Sequence, residues 1–369
     1  EDVFAERLTS LAPQAQHQLG AVLFADISGF TAITEALAVQ SRKRGQDGSE
    51  ELSSFINRYL TRMIDLLEDY GGQIVKLSGD AIMACFVNRA AAWGDTETDQ
   101  AHWMHQLAAQ ATRAAIAMQQ AMHEFERVDT SVGQLRLGLK IGIGVGQMLA
   151  VHVGGELGRW EYVLTGDAVL QAVQSQAAAS SGMVILAPPA AALVDPSTAM
   201  GQSSVIWNPD SQSDLALLEL EPVPAASYAS SGRVTFAWEQ LSPARQTASE
   251  RLLRAYVPAS IARSLETNLA VWLAELRRIT VMFVGVQGID YNHTDALERL
   301  QTIVATIQRI TYHYEGSLNK VLYDDKGTVI MLLFGAPPLS HEDDPQRALG
   351  CAFEIQQAAQ AWPAESVSI

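Results

Sequence analysis

The sequence predicts an α+β chain in which strands alternate with helices, arranged as one complete unit followed by roughly the first half of another. Three observations predict it. Short apolar runs end in turns built on Gly and Asp, as at Ala25-Asp26 and Ser78-Gly79-Asp80. A long stretch, residues 50–70, carries Leu52, Phe55, Ile56, Tyr59, Leu60, Met63 and Leu66-Leu67 at helical spacing. The same order of elements then returns from residue 279 onward.

The elements follow in order. Residues 21–26 form a mostly apolar strand, and the helix over 50–70 stops at Gly71-Gly72. Residues 73–77 and 81–87 form a hairpin around the tight Ser78-Gly79-Asp80 turn. An alanine-rich helix covers 98–127, and a strand over 135–145 carries Gly138, Gly142 and Gly144. A second hairpin pairs 148–153 with 161–164 around the glycines at 154, 155 and 158. A helix over 167–179 and a strand over 183–186 complete the unit. Between about 201 and 247 the composition shifts to Ser, Pro, Gly, Asp and Gln, an irregular connector keeping some strand at 204–207 and 233–238. A helical piece over 248–275 leads to a strand at 278–284. That strand opens the repeat: 279–285 parallels 20–26, 297–314 parallels the long helix, and 315–321 parallels 71–77. Asp325-Lys326-Gly327 with 328–334 parallels the turn and strand after Lys76, and Cys351 falls in the next helix. The expected division is 17–200, a connector over 201–270, and an incomplete second domain over 271–369.

Composition narrows the function classes. With 48% hydrophobic and 18% charged residues the 369-residue chain is globular, and its length accommodates two domains. A net charge of −16 excludes broad nucleic-acid or anionic-membrane binding, so a bound polyphosphate needs metal ions and a few selected lysines. Cys85 and Cys351 form neither a disulfide framework nor a metal knuckle and read as reduced core thiols of a cytoplasmic protein. No apolar stretch approaches the ~18–20 residues that span a bilayer, and no secretory signal opens the chain. The start at Glu1 and the strand-like end at 366–369 lead us to expect a piece of a longer protein.

Asp26 and Asp80 stand at the ends of apolar strands beside glycine turns, where two carboxylates suit a divalent ion carrying a polyphosphate. Each alone also reads more simply, Asp80 as a turn residue and Asp26 as an acid capping the next helix. The surrounding phrases favour the metal reading. Phe24-Ala25-Asp26-Ile27-Ser28-Gly29-Phe30-Thr31, Gly72-Gln73-Ile74-Val75-Lys76-Leu77-Ser78-Gly79-Asp80 and Gly158-Arg159-Trp160-Glu161-Tyr162 resemble class III nucleotidyl cyclases. The tandem arrangement, with Asn319-Lys320-Val321 and Asp325-Lys326-Gly327 in the second copy, is similar to soluble, bicarbonate-responsive adenylyl cyclases.

The resemblance implies a ferredoxin-like βαββαβ fold in each copy, two copies pairing head to tail, and one catalytic site shared between them. It implies conversion of ATP to cyclic AMP and pyrophosphate, the ribose 3′-oxygen attacking the α-phosphorus with two divalent ions, Mg2+ (or Mn2+ or Ca2+). Asp26 and Asp80, with the Ile27 carbonyl, would hold the ions. The backbone amides of Gly29, Phe30 and Thr31, at a helix start, would receive phosphates together with Lys140. Lys320 would donate to adenine N1, since an ammonium only donates and so mismatches the guanine N1–H. Lys76 matches the lysine of an anion pocket whose arginine partner is here Val173, so bicarbonate activation is not expected.

The copies diverge. Gly285 stands where Asp26 stands in the first copy, so the second cannot coordinate metals in the same way. Leu170 and Gln174 occupy positions where a complete family site has the transition-state Asn and Arg. These two residues, and downstream ATPase-like or helical-repeat regions, are expected beyond Ile369, which would leave residues 1–369 slow on their own. The alternative is a pseudo-cyclase that binds a nucleotide or anion and signals to a downstream domain without catalysis.

Overall fold

The structure, a computed structural model, describes residues 11–29, 47–88, 97–125, 127–130, 133–194, 204–207, 216–218, 241–258, 261, 278–337, 339–362 and 366–369. It is an α+β chain of two compact units: Gln18–Met148 with Asp167–Thr235, and Glu1–His17 with Leu149–Gly166 and Phe236–Ile369. The units do not follow the sequence order of the two copies, because the segment 149–166 of the first copy belongs to the unit that holds the second.

In the first of these units β1 (Gln14–Ser28) leads to helix α1 (Asp47–Asp69), then to β2 (Gln73–Ser78), β3 (Ala81–Val87) and α2 (Glu97–Ala121). A small ribbon of β4 (Arg127–Thr130) and β5 (Gly133–Arg136) precedes the long β6 (Gly138–Gly154). After β7 (Trp160–Thr165) come α3 (Asp167–Ala178), β8 (Val184–Leu186), α4 (Pro188–Leu193), β9 (Ser204–Trp207) and β10 (Ala216–Leu218). The strand order is β10-β9-β8-β6-β1-β3-β2. Alternation decides the faces: Ala21, Leu23, Ala25 and Ile27 of β1 and Leu139, Ile141, Ile143 and Val145 of β6 enter one core with α1 and α2. The opposite face of β6 is nearly bare, and α3 lies close against it. A Cβ on Gly142 would sit 2.1 Å from the Ala172 carbonyl oxygen, and one on Gly144 2.2 Å from that of Ala168.

The other unit holds α5 (Pro243–Arg254), β11 (Thr280–Gln287), α6 (Ala296–His313), β12 (Ser317–Asp324), β13 (Gly327–Phe334), α7 (Asp344–Ala359) and β14 (Ser366–Ser368). From β11 the order is βαββαβ with sheet order β12-β13-β11-β14, the ferredoxin-like arrangement. The first copy repeats it as β2-β3-β1-β6. Finer details recur too. Helix α1 ends with Gly72 N–H bonded to Leu67 O (2.7 Å) and Gly71 N–H to Glu68 O (2.9 Å); α6 ends with Gly316 N–H on Thr311 O (2.9 Å) and Glu315 N–H on Tyr312 O (3.1 Å). Both are Schellman caps with a positive φ at Gly71 or Glu315. The C-terminal half of β6 and β7 form a hairpin whose Val151, Val153 and Val163 share a core with α6, β11, β12 and β13.

Several expectations are adjusted. The strand expected to end at 145 runs unbroken through Gly146 to Gly154, because Gly146 takes φ +139 within the ladder. The alanine-rich helix ends at Ala121, followed by a short 3-10 turn, and not at 127. In the connector β9 lies where expected and 233–238 falls outside the described residues; the helix expected over 248–275 begins earlier, as Pro243–Arg254 with Ser242 as its N-cap, and 262–277 falls outside the described residues.

Candidate active site

Asp26 and Asp80 meet at one end of two paired strands. The β1–β3 register ends at Ala25 opposite Ile82, so Asp26 lies one step past that pair and Asp80 two residues before it in sequence. Ser78 pairs with Ala81, leaving Gly79-Asp80 as a two-residue turn, and Gly79 takes φ +69, the positive value such primed turns need. Because Ala25 and Ile27 point into the core, Asp26 points to the opposite face of the sheet. Lys140 alternates with the buried Leu139 and Ile141, and so projects from the face of β6 against which α3 lies. From α3, Gln176 Nε2 donates to Asp26 Oδ2 at 3.5 Å.

The electrostatics of this corner are those of two partly buried carboxylates that Lys140 only partly offsets. Burial, then repulsion from Asp80, pushes the Asp26 carboxyl up to about 6, against the pull of Lys140 and the Ile27 N–H. Asp80 is also raised, by burial, with its own backbone N–H opposing. On α1, Tyr59 is fully buried with its hydroxyl unpartnered among the described residues, and both carboxylates help burial to hold that phenol protonated. Lining up the copies by register gives the cross-strand row Phe24–Met83–Lys76 and its repeat Phe283–Met331–Lys320. Two residues beyond each Phe stand Asp26 and Gly285. Each lysine also follows a β-bulge, between Ile74 and Lys76 and between Leu318 and Lys320, a device that re-aims the next side chain.

Among the described residues no group of three or more His, Cys, Asp or Glu forms a metal cage. Two half-buried carboxylates are an incomplete, all-oxygen donor set. That fits Mg2+ or Mn2+, which keep water and take further oxygens from a bound phosphate, and it does not fit Zn2+.

Residues 12–205 match the family model described as the adenylate and guanylate cyclase catalytic domain. The chain belongs to this family. Adenylate cyclase type 10 of Oryctolagus cuniculus is 26% identical over 93% of this chain, which spans only 21% of that relative. An adenylate cyclase of Anabaena cylindrica is 34% identical over 40% of the chain and 25% of its own length. The solved adenylyl cyclase CyaB of P. aeruginosa aligns at TM-score 0.40 and 22% identity over 57% of this chain and 97% of that one. No helix among the described residues is long and apolar enough to cross a membrane.

Within this cyclase-family chain the structure brings Asp26, Asp80, Ile27 and Lys140 together in one unit. Gly29 follows with φ +93, while Phe30 and Thr31 lie outside the described residues. Lys320 lies in the other unit. Val173 and Ala172 on α3 are buried, and Gln174 is exposed. Sequence reasoning passed over Tyr59, which reads only as part of the apolar stripe of α1. It also passed over Gln176, whose signal is a polar residue four positions after Ala172 on the inward face of α3.

Proposed function

We propose that this chain is the tandem catalytic region of an adenylyl cyclase, converting ATP to cyclic AMP and pyrophosphate. In this reading residues 17–200 and 271–369 are two cyclase domains joined by 201–270, and one site is assembled from both. The observation that carries it is the Asp26–Asp80 pair, two partly buried carboxylates raised by burial, beside Lys140. A site that is electrostatically unfavourable when empty is one in which a divalent cation is welcome.

The roles follow from the chemistry of each group. Asp26 and Asp80, with the Ile27 carbonyl, hold two divalent ions, Mg2+ or its substitutes Mn2+ and Ca2+. When bound, such ions lower the pKa of the ribose 3′-hydroxyl and neutralise the triphosphate. Gln176 and the Ile27 N–H orient the Asp26 carboxylate. The amides from Gly29 to Thr31 and the Lys140 ammonium bind phosphate oxygens. Lys320, re-aimed by the bulge before it, reads the adenine edge. Lys76, its counterpart, serves a separate anion.

The test is cyclic AMP formation from Mg·ATP by the full natural protein. Asp26→Asn and Asp80→Asn should each lower kcat/KM by about a hundredfold or more. Wild-type rates in both variants would end the proposal. The pseudo-cyclase reading is favoured by Gly285, Leu170 and Gln174, which leave neither copy with a full catalytic set inside residues 1–369. It predicts nucleotide binding with no product at all.

A further inference from the structure

We propose that Glu161 is a positioning residue for Lys320, fixing the strand from which the base is read; this rests on the reading of Lys320 given above. Lys320 is carried by β12, the edge strand of its sheet, and directly follows a bulge. An edge strand is held by one neighbour only, and a bulge loosens the ladder at that point. A hydrogen bond to a base tolerates about half an ångström of error, so something else must fix this backbone.

Glu161 supplies it. From β7 it reaches β12, and its Oε2 accepts from Val321 N–H at 3.3 Å, one residue after Lys320. The Glu161 side chain is 5% exposed, and its other oxygen is paired with Arg159. That guanidinium is itself anchored, donating to the Trp160 carbonyl and to the Ala255 carbonyl at 3.2 Å. Trp160 N–H also donates to the Ala255 carbonyl, at 2.8 Å, tying β7 to the end of α5.

The hairpin is pinned to α6 as well. Gln301 bonds both the N–H and the carbonyl of Gly154 at 2.8 Å, and Gln308 bonds the Arg159 carbonyl at 3.1 Å and Glu156 N–H at 3.3 Å. Gln308 is fully buried although polar. The carboxylate is thus presented to β12 from a frame braced at four points. A buried ion pair contributes little net stability over apolar groups of the same size. Its role here is to aim the Lys320 strand.

The experiment uses the chain of residues 1–369 and fluorescent ATP and GTP analogues in Mn2+. The readouts are the ATP-over-GTP affinity ratio, backbone hydrogen exchange across β12, and thermal unfolding. Replacing the pair by apolar side chains (Arg159→Met with Glu161→Met) should leave cooperative unfolding intact, lower the ratio about tenfold and speed β12 exchange. Glu161→Asp keeps the charge for Arg159 but withdraws the oxygen from Val321; it should act the same way, and it decides the matter should the double variant not fold. Glu161→Gln keeps an acceptor for Val321 and should stay within about threefold of wild type. A wild-type ratio with wild-type β12 exchange in Glu161→Asp overturns the proposal. Lys320→Glu separates the two claims: if it leaves the ratio unchanged, the base-reading role of Lys320 falls, whatever Glu161 does to β12 exchange.

Discussion

Replacing Asp26 by Asn removes a charge that the folded protein holds at a cost. The carboxyl moves from 3.8 to about 6, because burial and Asp80 outweigh Lys140 and the Ile27 amide. At about 1.36 kcal/mol per unit the ceiling is ~3 kcal/mol, and solvent screening of a half-buried group reduces this to about 1–2 kcal/mol. The folded state binds this proton more tightly than the unfolded chain does. Asp26 therefore contributes stability that is fully present below pH ~3.8 and is lost as the pH rises through about 6. In EDTA, urea unfolding followed by tryptophan fluorescence should show the Asn variant more stable than wild type by about 1–2 kcal/mol at pH 7.5. The difference should shrink as the pH falls from 6 toward 4. With Mg2+ at ten times its dissociation constant, wild type should gain about 1.4 kcal/mol and the variant much less. A variant less stable than wild type at pH 7.5 in EDTA, or a difference that does not change with pH, would refute the reasoning.

Three further outcomes are expected. Tyr59→Phe deletes a buried hydroxyl without a partner among the described residues and should raise stability by about 1 kcal/mol in the same urea assay; a loss of that size would mean the hydroxyl is satisfied. Gly142→Ala sets a Cβ 2.1 Å from the Ala172 carbonyl oxygen, so α3 must move and stability should fall by about 3 kcal/mol, with a lowered midpoint in thermal unfolding. Lys140→Ala should weaken binding of ATP and GTP analogues alike, by about tenfold each, while leaving Mn2+ binding without nucleotide unchanged.

The sequence made Asp26 and Asp80 legible because strand ends and glycine turns are local features, and their adjacency follows from one hairpin beside one strand. The repeat was legible for the same reason, 279–285 and 315–321 echoing 20–26 and 71–77, whereas the match of Met83 with Met331 needs the strand register. What was hidden depends on which core a segment joins. The alternation in 149–153 and 160–165 reads identically whether that hairpin packs on the first copy or on α6 and β12. Gly146 looked like a strand end, and only the ladder shows a positive-φ glycine carried through it. The bulges before Lys76 and Lys320 share no residue signature, since Val75, a strong strand former, stands at one and Asn319, a poor one, at the other. Tyr59 fits an apolar stripe, and its ring does pack edge-on against Phe125 at 5.7 Å, so nothing in the pattern marks the orphaned hydroxyl.

The central claim is that Asp26 and Asp80 together hold divalent metal for a bound nucleotide. Mn2+ binding followed by electron paramagnetic resonance, on residues 1–369 without nucleotide, tests it most directly. Wild type should bind Mn2+ tightly enough to deplete the free-ion signal, and Asp26→Asn and Asp80→Asn should each restore that signal. Unchanged Mn2+ binding in the Asp26→Asn/Asp80→Asn double variant would contradict the account.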